Sequence, residues 1–279
     1  MTGLPRLIAT DLDGTLLRPD GTVSARTRAA LDALRAHGVL VVPVTARQPR
    51  GLRLLQADAG FDGYALCGNG AHGLHLRTGE VLFEAHLSAD TARALVAALH
   101  ARVPDALCVS IRDAGETFVA QRGYEQLAVF SDHKRHPHDM TLTDALGVTD
   151  APSLKLILRH ATLDPRALMA EVRALGVRGF EMTHSGAPFL EVMAPGVTKA
   201  WGVAQLCTHL GFGAADVLAF GDAANDVELL TWAGTGVAMG NAHPEARAAA
   251  DAVTGTNAED GVAVYLERLL AQAGAFARA

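Results

Sequence analysis

Hydrophobic positions along this chain fall into three stretches with different rhythms. The first is a short apolar run at residues 6–10, followed by the polar Asp11-Leu12-Asp13-Gly14-Thr15. Ser24 then stands as an N-cap before a helix to residue 36, with Ala30, Leu31 and Leu34 on one face and Gly38 as its stop. Residues 39–44 form a continuous apolar run, the pattern of a parallel strand buried on both faces. Strand, helix and strand make a βαβ unit and predict a doubly wound α/β domain. A helix over 51–59 and a strand over 64–67 continue it.

The rhythm changes after that. Residues 74–76 and 81–84 flank Arg77-Thr78-Gly79-Glu80, a hairpin signal. From 83 to 190 the pattern is α+β, with strands predicted at 107–112, 117–121, 154–159 and 177–182. Helices are predicted at 91–101 and, capped by Asp164, at 165–175. Residues 131–152 are polar, rich in His, Pro and Asp, and carry no clear periodicity. After Pro195-Gly196 the α/β alternation returns: helix 199–210, strand 217–220, helix 226–232, strand 236–239 and helix 261–271. The expected architecture is a Rossmann-like parallel-sheet core in two pieces, 1–82 and 191–279, with an inserted α+β domain at 83–190. No internal repeat or low-complexity linker interrupts it.

Composition narrows the function classes. Hydrophobic residues make up 49% of the 279. Even so, the longest apolar stretch, residues 38–44, is far short of the roughly 20 needed to cross a bilayer. The first residues lack a secretory pattern, because acids interrupt their apolar run. Three cysteines, Cys67, Cys108 and Cys207, without a CxxC pair, fit buried thiols in a reducing cytoplasm. A net charge of −6 gives no basic footprint for nucleic acid.

Two strand ends carry paired acids. Asp11 and Asp13 follow the first strand, and Gly221-Asp222-Ala223-Ala224-Asn225-Asp226 follows a later one. Carboxylates this close repel, so a cation or a shared proton is needed to hold them, and oxygen ligands suit Mg²⁺. The competing reading is a pair of capped turns. Thr45 ends the second strand before Ala46-Arg47-Gln48, where a hydroxyl and free N–H groups can cradle an oxyanion. Lys199 opens a helix, where the dipole disfavours a cation, so a nearby anion would account for it; a solvated lysine is the alternative.

Two patterns mislead. Gly68-Asn69-Gly70-Ala71-His72-Gly73 matches GxGxxG, but a hairpin follows instead of the helix a dinucleotide site needs. A tight turn offering Asn69 to a ligand fits better. His133, His136 and His138 lack further ligands at zinc spacing and read as a solvated loop. His72 and His184 are left open as substrate-facing groups.

Taken in order, Asp11-Leu12-Asp13-Gly14-Thr15-Leu16-Leu17, Thr45, Lys199 and Gly221-Asp222-x-x-Asn225-Asp226 resemble the motifs of the haloacid dehalogenase superfamily. The late insertion, Asn69-Gly70-Ala71 and the stretches 237–242 and 259–262 resemble its Cof-type branch with a C2B cap. The resemblance implies a Mg²⁺-dependent phosphatase acting on small phosphate esters, with sugar phosphates as the leading class. It implies Asp11 as nucleophile, Asp13 as acid and base, and Mg²⁺ held by the Asp11 carboxylate, the Asp13 backbone carbonyl and Asp222. It also implies Thr45, Ala46, Asn69, Lys199 and Asn225 around the phosphate, Asp226 supporting the metal shell, and the insertion as a lid. Ala46 departs from the family's usual Gly, and Thr10 from its usual apolar residue. Asp13 argues against the ATPases, which carry Thr there, and against the dehalogenases. A phosphosugar mutase and a non-catalytic sugar-phosphate sensor are the rival readings. Specificity residues are expected from 133–139 or 181–188, and a monomer or small homo-oligomer is expected.

Overall fold

The computed structural model describes residues 3–53 and 55–274. The strands, in chain order, are β1 (Leu7–Thr10), β2 (Leu40–Pro43), β3 (Tyr64–Cys67), β4 (His72–His75) and β5 (Val81–Glu84). They continue with β6 (Leu107–Arg112), β7 (Thr117–Gln121), β8 (Thr141–Thr143), β9 (Lys155–Arg159), β10 (Glu181–Thr183) and β11 (Leu190–Met193). Last come β12 (Val217–Gly221), β13 (Thr235–Ala238) and β14 (Ala252–Val253).

One sheet is parallel throughout, in the order β14-β13-β12-β1-β2. Leu7, Ile8 and Ala9 are fully buried, which explains why β1 sits inside the sheet. The chain moves outward from β1 to β2 on one side and from β12 through β13 to β14 on the other. The order therefore reverses between β1 and β12, and open α/β sheets bind ligands at the carboxyl end of such a switch. Thr10 pairs with Phe220 there, so the two acidic loops leave the sheet side by side. Ser24 caps the helix Ala25–Ala36 by accepting from the Thr27 N–H, as its sequence predicts.

The second sheet has six strands, in the order β10-β11-β9-β6-β7-β8, antiparallel except for β7 with β8. Alternation along each strand divides its faces. Leu156 and Leu158 of β9, with Leu190 and Val192 of β11, pack with Leu95, Leu99, Leu168 and Val172 of the helices Ala89–Arg102 and Pro165–Ala174. The intervening residues face the other way, and Ile111, Lys155 and Glu191 of that set line the functional cavity. A third, antiparallel sheet is β3-β4-β5.

Several expectations shift. β2 is only half-buried at Leu40 and Val41, because it is the last strand of its sheet order. The helix expected over 51–59 is two short pieces, Pro49–Arg53 and Gln56–Ala59, with Leu54 outside the described residues. The strand expected at 177–182 forms only at its end. The unassigned segment 131–152 supplies β8 and the short helix Ala145–Val148. β11 runs across the expected boundary at 190/191, hydrogen-bonded to β9 and β10.

Candidate active site

The loop after β1 is held by the Asp11 N–H donating to the Phe220 carbonyl at 3.1 Å. It turns at Gly14, where φ is +84°. A Cβ on Gly14 would stand 2.4 Å from Asp222 Oδ2, so both backbone conformation and space demand glycine. Gly14→Ala is expected to cost about 1–2 kcal/mol from the left-handed backbone alone, before Asp222 is displaced. Denaturant unfolding checks this, and unchanged stability would contradict the close approach.

Lys199 begins the helix Lys199–Leu210, capped by the Thr198 hydroxyl accepting from the Trp201 N–H. Its side chain is fully buried. Nζ donates to Asp11 Oδ1 and Asp226 Oδ1, both at 2.6 Å. The anion inferred from its place at a helix start is thus a pair of carboxylates. Asp226 Oδ2 accepts from the Asp222 and Ala223 N–H groups, each at 3.0 Å. The Thr15 hydroxyl donates to Asp222 Oδ1 at 2.7 Å. Ligand atoms of Asp11, Asp222 and Asp226 lie within 4.8 Å of one another. Burial pushes the Asp11 carboxyl well above its usual range; Lys199 opposes this, and Asp226 and Asp222 add to it. Burial also pushes Asp222 up to about 6, against the Thr15 hydrogen bond. Concentrated negative charge that resists ionisation is what a hard cation relieves. Among the described residues Asp11 Oδ2 and Asp222 Oδ2 accept no hydrogen bond, whereas both oxygens of Asp226 do. The donor set fits Mg²⁺, with Asp226 orienting its neighbours.

Asp13 stands apart from that cluster. Its carboxylate is gripped by Arg47, Nη2 to Oδ1 at 2.6 Å and Nε to Oδ2 at 2.7 Å. Partial burial raises the Asp13 carboxyl, but the Arg47 hydrogen bonds and charge outweigh it and hold it below the usual range. Thr45 Oγ1 accepts from the Arg47 N–H at 3.1 Å, which leaves the hydroxyl proton free to donate. The Ala46 N–H donates to nothing among the described residues. Asn69 is buried in a left-handed turn, φ 60°, and its Oδ1 accepts from Asn225 Nδ2 at 3.0 Å. Asn225 Oδ1 is buried without a partner among the described residues.

Sequence reasoning missed Arg47, Lys155 and Glu191. Arg47 adjoins Thr45-Ala46, where the expected oxyanion cradle rests on backbone N–H groups and gives its side chain no part. Lys155 and Glu191 form a buried pair, and Lys155 Nζ also donates to the Ala46 carbonyl at 2.8 Å. Their signal was a charged residue inside an apolar strand, which needs a partner when buried. Burial pushes the Glu191 carboxyl up, but the Lys155 charge and hydrogen bond more than offset this and leave it below its usual value.

A cavity of about 290 Å³ joins these groups. Asp11, Asp13, Thr45, Ala46 and Asn225 line it from one side; the expected specificity segments contribute only 133–134 and 185–188, and Ser131, Asp132 and Phe189 just outside them join the wall. His133 is at the wall, its Nε2 2.9 Å from the Tyr124 hydroxyl and its ring stacked on Phe189 at 4.8 Å. Burial pushes it down to about 4. His136 and His138 stack on each other outside the cavity. Among the described residues the acidic trio alone brings three His, Cys, Asp or Glu ligand atoms within 4.8 Å of one another. His72 pairs with Glu84 at 2.8 Å, and neither it nor His184 lines the cavity. The GxGxxG segment leads from β3 into β4, and β4 pairs antiparallel with β5, the hairpin expected after it.

Residues 8–266 match the family model described as haloacid dehalogenase-like hydrolase. The chain is 32% identical to an HMP-PP phosphatase of Cronobacter sakazakii, over 87% of this chain and 86% of that protein. A haloacid dehalogenase-like hydrolase from Bacteroides thetaiotaomicron is similar in structure, with TM-score 0.73 and 28% identity over 95% of this chain and 99% of that one. A haloacid dehalogenase subclass IIB sugar phosphatase shares the fold, with TM-score 0.80 and 23% identity over 94% of this chain and 98% of that one.

Proposed function

The chain belongs to the haloacid dehalogenase-like hydrolase family and is a phosphatase, and on that premise we propose that it hydrolyses small phosphomonoesters, sugar phosphates foremost, through an aspartyl-phosphate on Asp11. One observation carries the reading. Asp11, Lys199, Asp222 and Asp226 meet at the switch between β1 and β12, and Asp11 opens onto the cavity.

An Asp11 oxygen attacks phosphorus, and the bond to the leaving oxygen breaks. Asp13 gives its proton to that oxygen, then takes one from the water that attacks phosphorus, whose bond to the Asp11 oxygen breaks to release phosphate and the free carboxylate. The Arg47 grip favours the ionised form needed in this second half. A phosphate dianion that draws Arg47 away lets Asp13 take up the proton needed in the first. Thr45 donates its free hydroxyl proton to a phosphoryl oxygen, and the Ala46 N–H and Lys199 supply further positive charge. Asn225, braced by Asn69, turns toward the phosphate or Lys199. Mg²⁺ would be held by the Asp11 carboxylate, the Asp13 backbone carbonyl and Asp222, with Asp226 fixing Asp222 through its backbone N–H. When bound, the ion offsets the repulsion between nucleophile and phosphate dianion.

Residues 83–190 act as a cap that excludes water over a core built from 1–82 and 191–279, with β11 moving with the cap sheet. A reducing cytoplasm is supported by three buried free thiols, Cys67, Cys108 and Cys207. No helix among the described residues is long and apolar enough to cross a membrane. The purified chain is expected to release phosphate from a panel of sugar phosphates, flavin mononucleotide and pyridoxal phosphate with Mg²⁺ and to stop with chelator. Release unaffected by chelator would overturn the metal assignment. Isomerised sugar phosphate without net release would favour the mutase.

A further inference from the structure

Beyond the reacting groups, the cavity wall holds polar atoms the reaction does not use. Gln48 is 6% exposed, yet neither Nε2 nor Oε1 has a hydrogen-bond partner among the described residues. Glu191 is 1% exposed, and its Oε2 has no partner at hydrogen-bond distance among the described residues, since Lys155 takes only Oε1; the Ser185 and Asn69 side chains stand near enough to help hold its carboxyl down without closing that bond. Both residues line the cavity that Asp11 and Asp13 open onto. Buried polar atoms in native proteins are overwhelmingly paired, and an orphan carries its full desolvation cost. Three orphans in one wall next to a reaction centre point to a ligand that completes them.

The chemistry of the orphans defines that ligand. Glu191 Oε2 only accepts, so it calls for a donor. The Gln48 amide both donates and accepts, which a hydroxyl matches from either side. Glu191 also places an unshared carboxylate oxygen in the wall, which disfavours a second anionic group on the ligand. Phe118 and Phe189 supply an apolar surface for the carbons that carry the hydroxyls. The cap closes directly on the amide: a Cβ on Gly115, in the turn between β6 and β7, would stand 2.5 Å from Gln48 Oε1. Water does not reach the amide in this arrangement, so its partner has to enter with the ligand as cap and core part.

We propose that Gln48, together with the free carboxylate oxygen of Glu191, is the specificity determinant that recognises a hydroxyl on an otherwise uncharged leaving group. The inference rests on the phosphatase reading of the same cavity and adds which residues select the substrate. A site built to bond a hydroxyl rejects the analogue that lacks it far more strongly than an apolar pocket rejects an extra group.

The test compares the wild type with Gln48→Leu and Gln48→Glu. Substrates are ribose 5-phosphate, glucose 6-phosphate, their monodeoxy analogues and p-nitrophenyl phosphate, which has no hydroxyl on its leaving group. The wild type is expected to prefer at least one sugar phosphate over its deoxy analogue by about tenfold or more in kcat/KM. Gln48→Leu is expected to erase that preference and to melt no lower than the wild type, since an apolar group replaces an orphan. Gln48→Glu keeps an acceptor but loses the donor, and should lie between. Equal losses on every substrate, or a preserved preference, would overturn the assignment. A wild type that hydrolyses p-nitrophenyl phosphate but shows no hydroxyl preference overturns this inference and leaves the reaction standing. Binding to Asp11→Asn by calorimetry reads the contact without turnover. There Gln48→Leu should weaken sugar-phosphate affinity about tenfold, and equal affinity refutes the assignment even if hydrolysis fails altogether.

Discussion

Asp11→Asn is expected to abolish turnover, by a factor of about 10⁴ or more in kcat, while leaving the fold intact. The amide has the shape of the carboxylate and still offers Oδ1 to Lys199 Nζ, which now bonds Asp11 at 2.6 Å. It has no electron pair suited to attack phosphorus at neutral pH. Stability moves the other way from activity. Asp11 is buried beside Asp226 and Asp222, whose charges raise its carboxyl further above the usual range. Removing one of three neighbouring negative charges relieves that repulsion, and Lys199 keeps Asp226 as its partner. The melting temperature should hold or rise. Phosphate release with a good substrate and a thermal melt on the same preparation decide the matter. Residual activity within tenfold of wild type would remove Asp11 from the nucleophile's role.

Lys199→Ala should damage both properties at once. The Lys199 side chain is 0% exposed, and so is that of Asp226, while Asp11 is 8% exposed. Taking away the shared cation leaves two buried carboxylates facing each other, and breaking such a pair from one side costs about 3–5 kcal/mol. Turnover should fall by about 10² to 10³, the usual loss for one preorganised cation or donor at a charged transition state. Lys199→Met keeps most of the volume and separates the effects: packing recovers, but activity and the charge deficit do not. A variant as stable as wild type in denaturant, or one with near-normal turnover, would contradict the assigned role. Near-normal turnover with lost stability would leave Lys199 a structural role alone.

The contrast between Asp11 and Asp13 shows where sequence reading stops. Spacing alone makes them equivalent acids two residues apart. Folding buries one against Lys199 and leaves the other half-exposed under Arg47. The strand after Gly38, the helix from Lys199 and the acidic strand ends are legible in the sequence, because those depend on neighbours within a few residues. Arg47, Lys155 and Glu191 escaped notice because their partners lie 34 to 109 positions away. Residues 131–152 were illegible for a related reason. Their short strand and helix have little hydrophobic face of their own and form against β7.

The sequence by itself determined the kind of chemistry and the α/β grammar. Short apolar runs bounded by turn and cap signals point to strands, and motif order ties two separated acidic loops to one family. Tertiary structure alone decided which carboxylate is buried, which cation serves it and which polar atoms remain unpaired in the cavity. Those outcomes turn on the pairing of β1 with β12 and on the closing of one sheet over another. Both are contacts across most of the chain's length, and local residue pattern carries no record of such distances.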